Sequence, residues 1–195
     1  MKKIVIALDG PSGSGKSTVA KFLSDKLNIL YLDTGAMYRA TALKALNLGI
    51  DTFDEEGVKT FINDINLEIK YIDKRQHTFL DGEDVSQKIR EPHMSMAASN
   101  ISSLKTVRLK MVEMQRKIAS DISCVLDGRD IGSYVLPDAD YKFFITASPE
   151  VRAKRRFDEL KAKNFDVNYD EILKDIEKRD YNDIHRDFSP LVQAK

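Results

Sequence analysis

The residues Gly10-Pro11-Ser12-Gly13-Ser14-Gly15-Lys16-Ser17 carry the most specific chemistry in the chain. They fit the pattern G-x-x-x-x-G-K-[ST], directly after the apolar run Ile4 to Leu8 and directly before a stretch of helical spacing, Ser17 to Leu27. Glycines let backbone N–H groups turn inward around phosphate oxygens, and a helix N-terminus adds partial positive charge. In that setting Lys16 neutralises the β- and γ-phosphates and the Ser17 hydroxyl ligates Mg²⁺. The expected ATP site is therefore Gly10 through Ser17, together with Thr18. A glycine-rich turn without a nucleotide is the bland alternative. The bare pattern arises by chance in roughly one chain in a hundred of this length, and the strand-loop-helix context removes most of those. A second signal is the apolar run Ile122 to Leu126 ending in Asp127, an acid at the position that holds Mg²⁺ or its waters beside such a loop.

Arginines supply the third signal. Arg39 and Arg129 follow predicted strands, and Arg152, Arg155 and Arg156 share a helical face at i, i+3, i+4. Arg179, Asp183 and Arg186 share another at i, i+4, i+7. Any one of them alone reads equally well as a solvated surface charge. Together they suit a site for two phosphorylated substrates, because guanidinium stays charged and grips phosphate bidentately. Phosphoryl transfer itself is catalysed mainly by positioning and charge stabilisation.

The elements that must position these groups alternate. Ile4 to Leu8 reads as a strand buried on both faces, Ile29 to Leu32 as a second strand, and Thr34 to Leu48 as a helix closed by Gly49. Residues 64–90 show short alternating segments broken by Asp73-Lys74 and Asp81-Gly82, which predicts a small antiparallel insertion outside the main sheet. Helices follow through Met94 to Asn100 and Leu104 to Ala119, then strands Ile122 to Leu126 and Tyr141 to Ile145. Ser148-Pro149-Glu150 is a helix start, and Val151 to Arg186 reads as helical. The predicted fold is α/β, a parallel sheet flanked by helices. It divides into a core of residues 1–63 and 91–195, with a helical lid near 150–168, and the insertion at 64–90.

Composition limits the functional classes. The chain has 195 residues, and its 31 basic and 31 acidic side chains cancel, which argues against a nucleic-acid-binding role. One cysteine, Cys124, lies in an apolar run and reads as a core thiol. His77, His93 and His185 lack ligand spacing. No run approaches the length of a membrane span, and the apolar stretch after Met1-Lys2-Lys3 is too short for export, so a cytoplasmic protein is expected.

Several blocks resemble bacterial cytidylate kinases, a family of P-loop nucleoside monophosphate kinases. They are Ile6 to Ser17, Leu32-Asp33-Thr34-Gly35-Ala36-Met37-Tyr38-Arg39, Asp84-Val85-Ser86 with Ile89-Arg90, Asp127-Gly128-Arg129-Asp130-Ile131-Gly132, and Arg179-Asp180 with Ser189-Pro190-Leu191. The resemblance runs through nearly the whole chain in the family's order. It implies that ATP phosphorylates CMP or dCMP with Mg²⁺. Arg39 and Arg129 would hold the acceptor phosphate, with Asp33, Thr34 and Tyr38 shaping that pocket and Gly128 among the substrate-binding residues. Ser99, Arg108 and Asp130 would read the cytosine edge, Arg179 and Asp183 would contact the sugar, and Arg186 a phosphate. Arg152, Arg155 and Arg156 would lie on a lid over ATP, and the insertion would be the monophosphate-side domain. Family members continue past Ser189-Pro190-Leu191 with another strand and a helix, which the sequence ending at Lys195 does not show. The expected partners are small nucleotides, with neither nucleic acid nor membrane, and the expected state is a monomer.

Two alternatives stand beside this reading. A kinase for UMP, dTMP or a shikimate-like alcohol would keep the same loop, with Asp33 as base in the alcohol case. A switch GTPase would need N-K-x-D, but the order here is Lys163-Asn164-Phe165-Asp166.

Overall fold

The computed structural model describes residues 3–195, so Met1 and Lys2 of the opening stretch lie outside it. The chain runs β1 (Val5–Asp9), α1 (Lys16–Leu27), β2 (Leu30–Asp33), α2 (Thr34–Asn47), α3 (Glu55–Lys59), β3 (Leu67–Ile72), β4 (Arg75–Leu80) and β5 (Glu83–Asp84). It continues through α4 (Met94–Ile101), α5 (Lys105–Ala119), β6 (Cys124–Gly128), β7 (Tyr141–Phe144), α6 (Pro149–Ala162) and α7 (Tyr169–His185). A 3₁₀ turn covers Lys88–Arg90, and a π-helical turn covers Ile131–Val135.

The main sheet is parallel, in the order β2-β6-β1-β7. β1 is buried at every residue, as its unbroken apolar run requires of an inner strand. On one face, Val5, Ala7, Leu32 and Leu126 pack against Met37 of α2 and Met111 of α5. On the other, Ile6, Leu8 and Val125 meet Ala20 of α1. Met37, Met111 and Leu126 are fully buried, and each contributes about 1.5–3 kcal/mol by leaving water. The strands' carboxyl ends place Asp9, Asp33, Asp127 and Gly128 along one edge. The strand order switches sides there, since β1 is followed by β2 on one side while β6 is followed by β7 on the other, and ligands of open α/β sheets bind at such a switch.

β3, β4 and β5 form a separate antiparallel sheet. Its turns sit at the predicted punctuation, with Asp73, Lys74, Asp81 and Gly82 at positive φ. The stretch Val151 to Arg186, expected to be helical, is two helices with a turn between them. α6 stops at Ala162, Asn164 turns at φ 60°, and the Asn168 side chain accepts from Asp170 N at 2.8 Å to start α7. No described helix is long and apolar enough to cross a membrane.

Candidate active site

The phosphate loop is held open by its glycines. Gly10 sits at φ 142°, and a Cβ there would collide with the Ile145 carbonyl of the neighbouring segment. Gly15, at φ 103°, caps α1 with no side chain in the way of its amides. Lys16 folds back into this loop, donating to Pro11 O at 2.7 Å and reaching Ser14 Oγ at 3.4 Å. Among the described residues no carboxylate pairs with it. Burial, and then Arg129, push its pKa down to about 7. A buried ammonium in that condition is suited to anionic oxygens.

Beside it, β6 presents Asp127. Its Oδ2 accepts from Ser17 Oγ at 2.6 Å, and its Oδ1 accepts from Tyr31 Oη at 3.2 Å. Burial, followed by the nearby Asp33 charge, raises its pKa to about 6. A carboxylate buried against two hydroxyls, with no lysine or arginine at ion-pair distance among the described residues, fits a divalent cation.

The other half of the site is assembled from β2, α2, α5, β6 and α7. Asp33 ends β2 and caps α2 by accepting from Ala36 N at 3.0 Å. The same carboxylate pairs with Arg39 at 2.9 Å and lies 3.5 Å from Arg90. Burial opposes its charge, but Arg39 and Arg90 prevail and hold its pKa below the usual range. Arg129 donates from Nε to Asp183 at 2.7 Å. Asp130 is bound by Arg108 and by the Ser189 hydroxyl, both through Oδ2, while Oδ1 lies 3.8 Å from Arg186. Arg179, half-buried on α7, has no carboxylate at ion-pair distance among the described residues. Burial and Arg129 lower its pKa to about 10.

One cavity joins these groups. Ser12, Gly13, Lys16 and Ser17 line one end, while Asp33, Thr34, Tyr38, Arg39, Arg108, Gly128, Arg129, Asp130, Arg179, Asp183 and Arg186 line the rest with Asp127. Six cations against four carboxylates leave it a net anion receptor. Gly10, Pro11, Ser14, Gly15 and Thr18 build the loop and first helical turn rather than the wall. Ser99 is buried behind the wall with an unpartnered hydroxyl, and Ser95, Ala98 and Ser102 face the cavity in its stead. Arg152 departs from the lid expectation. It is 2% exposed, pairs with Asp180 of α7, and donates to Ser12 O at 3.2 Å and Ala147 O at 2.8 Å. Those contacts make it a buried strut beneath the phosphate loop. Arg156 pairs with Glu159 at 3.0 Å, and Arg155 is exposed beside Gly15.

Several residues here were given no role in the sequence. Tyr31 supports Asp127, Ser189 holds Asp130 from a positive φ of 53°, and Asp180 anchors Arg152. Gln76 of β4 accepts from Asp33 N at 2.7 Å and so ties the antiparallel sheet to the end of β2. Ser189 lies in the Ser-Pro-Leu block and could have been singled out from it.

The family model for cytidylate kinase matches residues 6–195. The chain belongs to the cytidylate kinase family. It is 51% identical to a cytidylate kinase of Caldicellulosiruptor bescii over all 195 residues, which span 86% of that protein. A cytidylate kinase of Caldicellulosiruptor saccharolyticus is 50% identical, with the same coverage. One from Clostridioides difficile is 48% identical over 100% of this chain and 88% of its own length.

Proposed function

We infer that this chain is a (d)CMP kinase, transferring the γ-phosphoryl group of ATP to CMP or dCMP and releasing ADP with CDP or dCDP. The observation that carries the base preference is Asp130. Arg108 and Ser189 both bond its Oδ2, while Oδ1 meets only Arg186, at 3.8 Å, and Asp130 lines the cavity. Cytosine offers an N4 amine that a carboxylate accepts, whereas uracil presents an oxygen there and would be repelled. Arg39 and Arg129 meet the acceptor phosphate, Arg179 and Asp183 the sugar, and Lys16 the donor phosphates. Arg155 and Arg156 lie on the α6 lid over ATP, and the β3–β5 sheet serves as the acceptor-side domain.

Transfer is direct and in line. The acceptor phosphate has a second pKa near ~6 and is largely dianionic at neutral pH, so no base is required. Asp33 would be a poor base in any case, since Arg39 and Arg90 hold its proton affinity down. That disfavours an alcohol acceptor. Ser17 and Asp127 would hold Mg²⁺, which supplies charge neutralisation across the donor phosphates. A cytoplasmic location accords with the single buried thiol and balanced charge.

An acceptor panel of CMP, dCMP, UMP, dTMP and a shikimate-like alcohol tests this reading directly. CMP and dCMP should turn over fastest. Asp130→Ala should lower kcat/KM for CMP by about 10–100-fold while leaving the KM for ATP within about twofold. Phosphorylation of the alcohol alone would overturn the assignment.

A further inference from the structure

β1 ends on a carboxylate that the phosphate chemistry does not use. Asp9 is 3% exposed and immediately precedes the phosphate loop. Its Oδ1 accepts from Ile131 N and its Oδ2 from Gly132 N, each at 2.7 Å. Those are the two amides directly after Asp130, at the start of the π-helical turn, where backbone N–H groups lack partners within the turn.

Both ends of this clamp are rigid. On the Asp9 side, Gly10 is pressed against the Ile145 carbonyl, and Ile145 N in turn donates to Asp9 O at 2.8 Å. On the other side, the Ile131 side chain packs so closely over Gly128 that a Cβ there would collide with it. A neutral amide of similar size offers one acceptor where the carboxylate offers two, so only an acid satisfies both buried N–H groups. The fold therefore keeps a buried negative charge close to a second one, Asp130. Burial pushes the Asp9 pKa up to about 6, with the Asp130 charge adding to the rise against the two amides.

We propose that Asp9 is a positioning residue for acceptor recognition, clamping the Ile131 and Gly132 amides so that Asp130 is presented to the base in register with the phosphate loop. The proposal rests on the reading of Asp130 as the cytosine-facing carboxylate. It links the donor strand to the acceptor-reading segment through one side chain.

Steady-state kinetics of Asp9→Asn, Asp130→Ala and the double variant, with CMP and UMP as acceptors, test it. Asp9→Asn should raise the KM for CMP and lower the CMP-to-UMP ratio of kcat/KM by about tenfold, with the KM for ATP within about twofold. In the Asp130→Ala background the same substitution should change that ratio by less than about twofold, because the two residues act as one unit. Equal losses for CMP and UMP, a raised KM for ATP, or a full Asp9→Asn effect in the Asp130→Ala background would each overturn the proposal. If Asp130→Ala alone lowers the ratio and Asp9→Asn does not, the clamp falls and the base-reading assignment stands. If Asp130→Ala leaves the ratio unchanged, both fall. Asp9→Ser, whose hydroxyl still accepts from one amide, takes the place of Asp9→Asn if the latter does not fold, with the same expected and overturning results.

Discussion

The two ends of the cavity use the same kind of charge in opposite company. At the acceptor end every lining arginine except Arg179 has a carboxylate within ion-pair distance: Arg39 with Asp33, Arg108 with Asp130, Arg129 with Asp183, and Arg186 near both Asp130 and Asp183. At the donor end Lys16 has only a carbonyl and a hydroxyl, and Arg179 likewise has no acid partner among the described residues. The acceptor end is thus an array of preformed ion pairs, which the proposed acceptor phosphate would join as a further member. Lys16 at the donor end has no paired acid among the described residues, and the proposed triphosphate would supply the missing negative charge. A cation that the fold has paired contributes to stability as well as to binding, whereas a cation left for the ligand contributes to catalysis alone.

Lys16→Ala should therefore separate the two roles most sharply. Loss of the charge over the transferred group should lower kcat by about 10³-fold, on the order of 4 kcal/mol. Because the removed ammonium is buried among like charges, the unfolding midpoint should stay within about 2 °C of wild type or rise. Wild-type turnover in this variant, or its unfolding, would erase the contrast. Asp183→Ala is the mirror image. It leaves Arg129 buried without its partner and should cost about 3–5 kcal/mol of stability in chemical denaturation, which for a chain of this size lowers the midpoint by about 10 °C. An unchanged midpoint would show that the acceptor pairs are not structural.

How much of this was legible in the sequence follows the distance between partners. The phosphate loop, the Ser148-Pro149 helix start and the turns of the small sheet are local, and their residues state them directly. Asp127 was legible because an apolar strand delivers it to the sheet edge. The clamp from Asp9 to Ile131 and Gly132 spans more than a hundred positions, and nothing near Asp9 announces its partner. Arg152 shows the limit of periodicity. Its spacing with Arg155 and Arg156 correctly gives a shared helical side, yet α7 packs against that side and decides which of the three is sealed in. Ser99 illustrates the same limit on α4, where one step around the helix separates the cavity wall from the layer behind it.

The arginines of α6 extend the comparison at a smaller scale. Arg152, paired and sealed, should behave like the acceptor end. Arg152→Ala strands Asp180 and should cost about 3 kcal/mol of stability, with activity falling only as the loop loses its support at Ser12 O. Arg155→Ala, at an exposed position, should leave the unfolding midpoint within about 1 °C and lower kcat by about tenfold. Denaturation and steady-state assays on the pair decide it, and an equal stability loss in both variants would place both arginines in the same structural role.

The last expected effect turns on a proton. Lys16 has its pKa lowered to about 7 by burial and Arg129, helped by Arg179 and opposed by Asp127 and Asp183. A bound triphosphate favours the charged form and returns the pKa toward the ordinary lysine range. Between the free and bound values, binding must therefore take up a proton, and affinity must fall as pH rises. From pH 7 to 9 the ATP affinity, measured without Mg²⁺, should weaken by up to about tenfold per pH unit, and titration calorimetry in two buffers should register proton uptake. In this window the triphosphate and the CMP phosphate are already ionised, and Asp127 lies below it. CMP binding, which meets paired guanidinium groups that stay protonated throughout, should show no such slope. Lys16→Met should abolish the slope for ATP. If the slope persists in that variant, the proton is taken up elsewhere and the donor end is not the unsatisfied half.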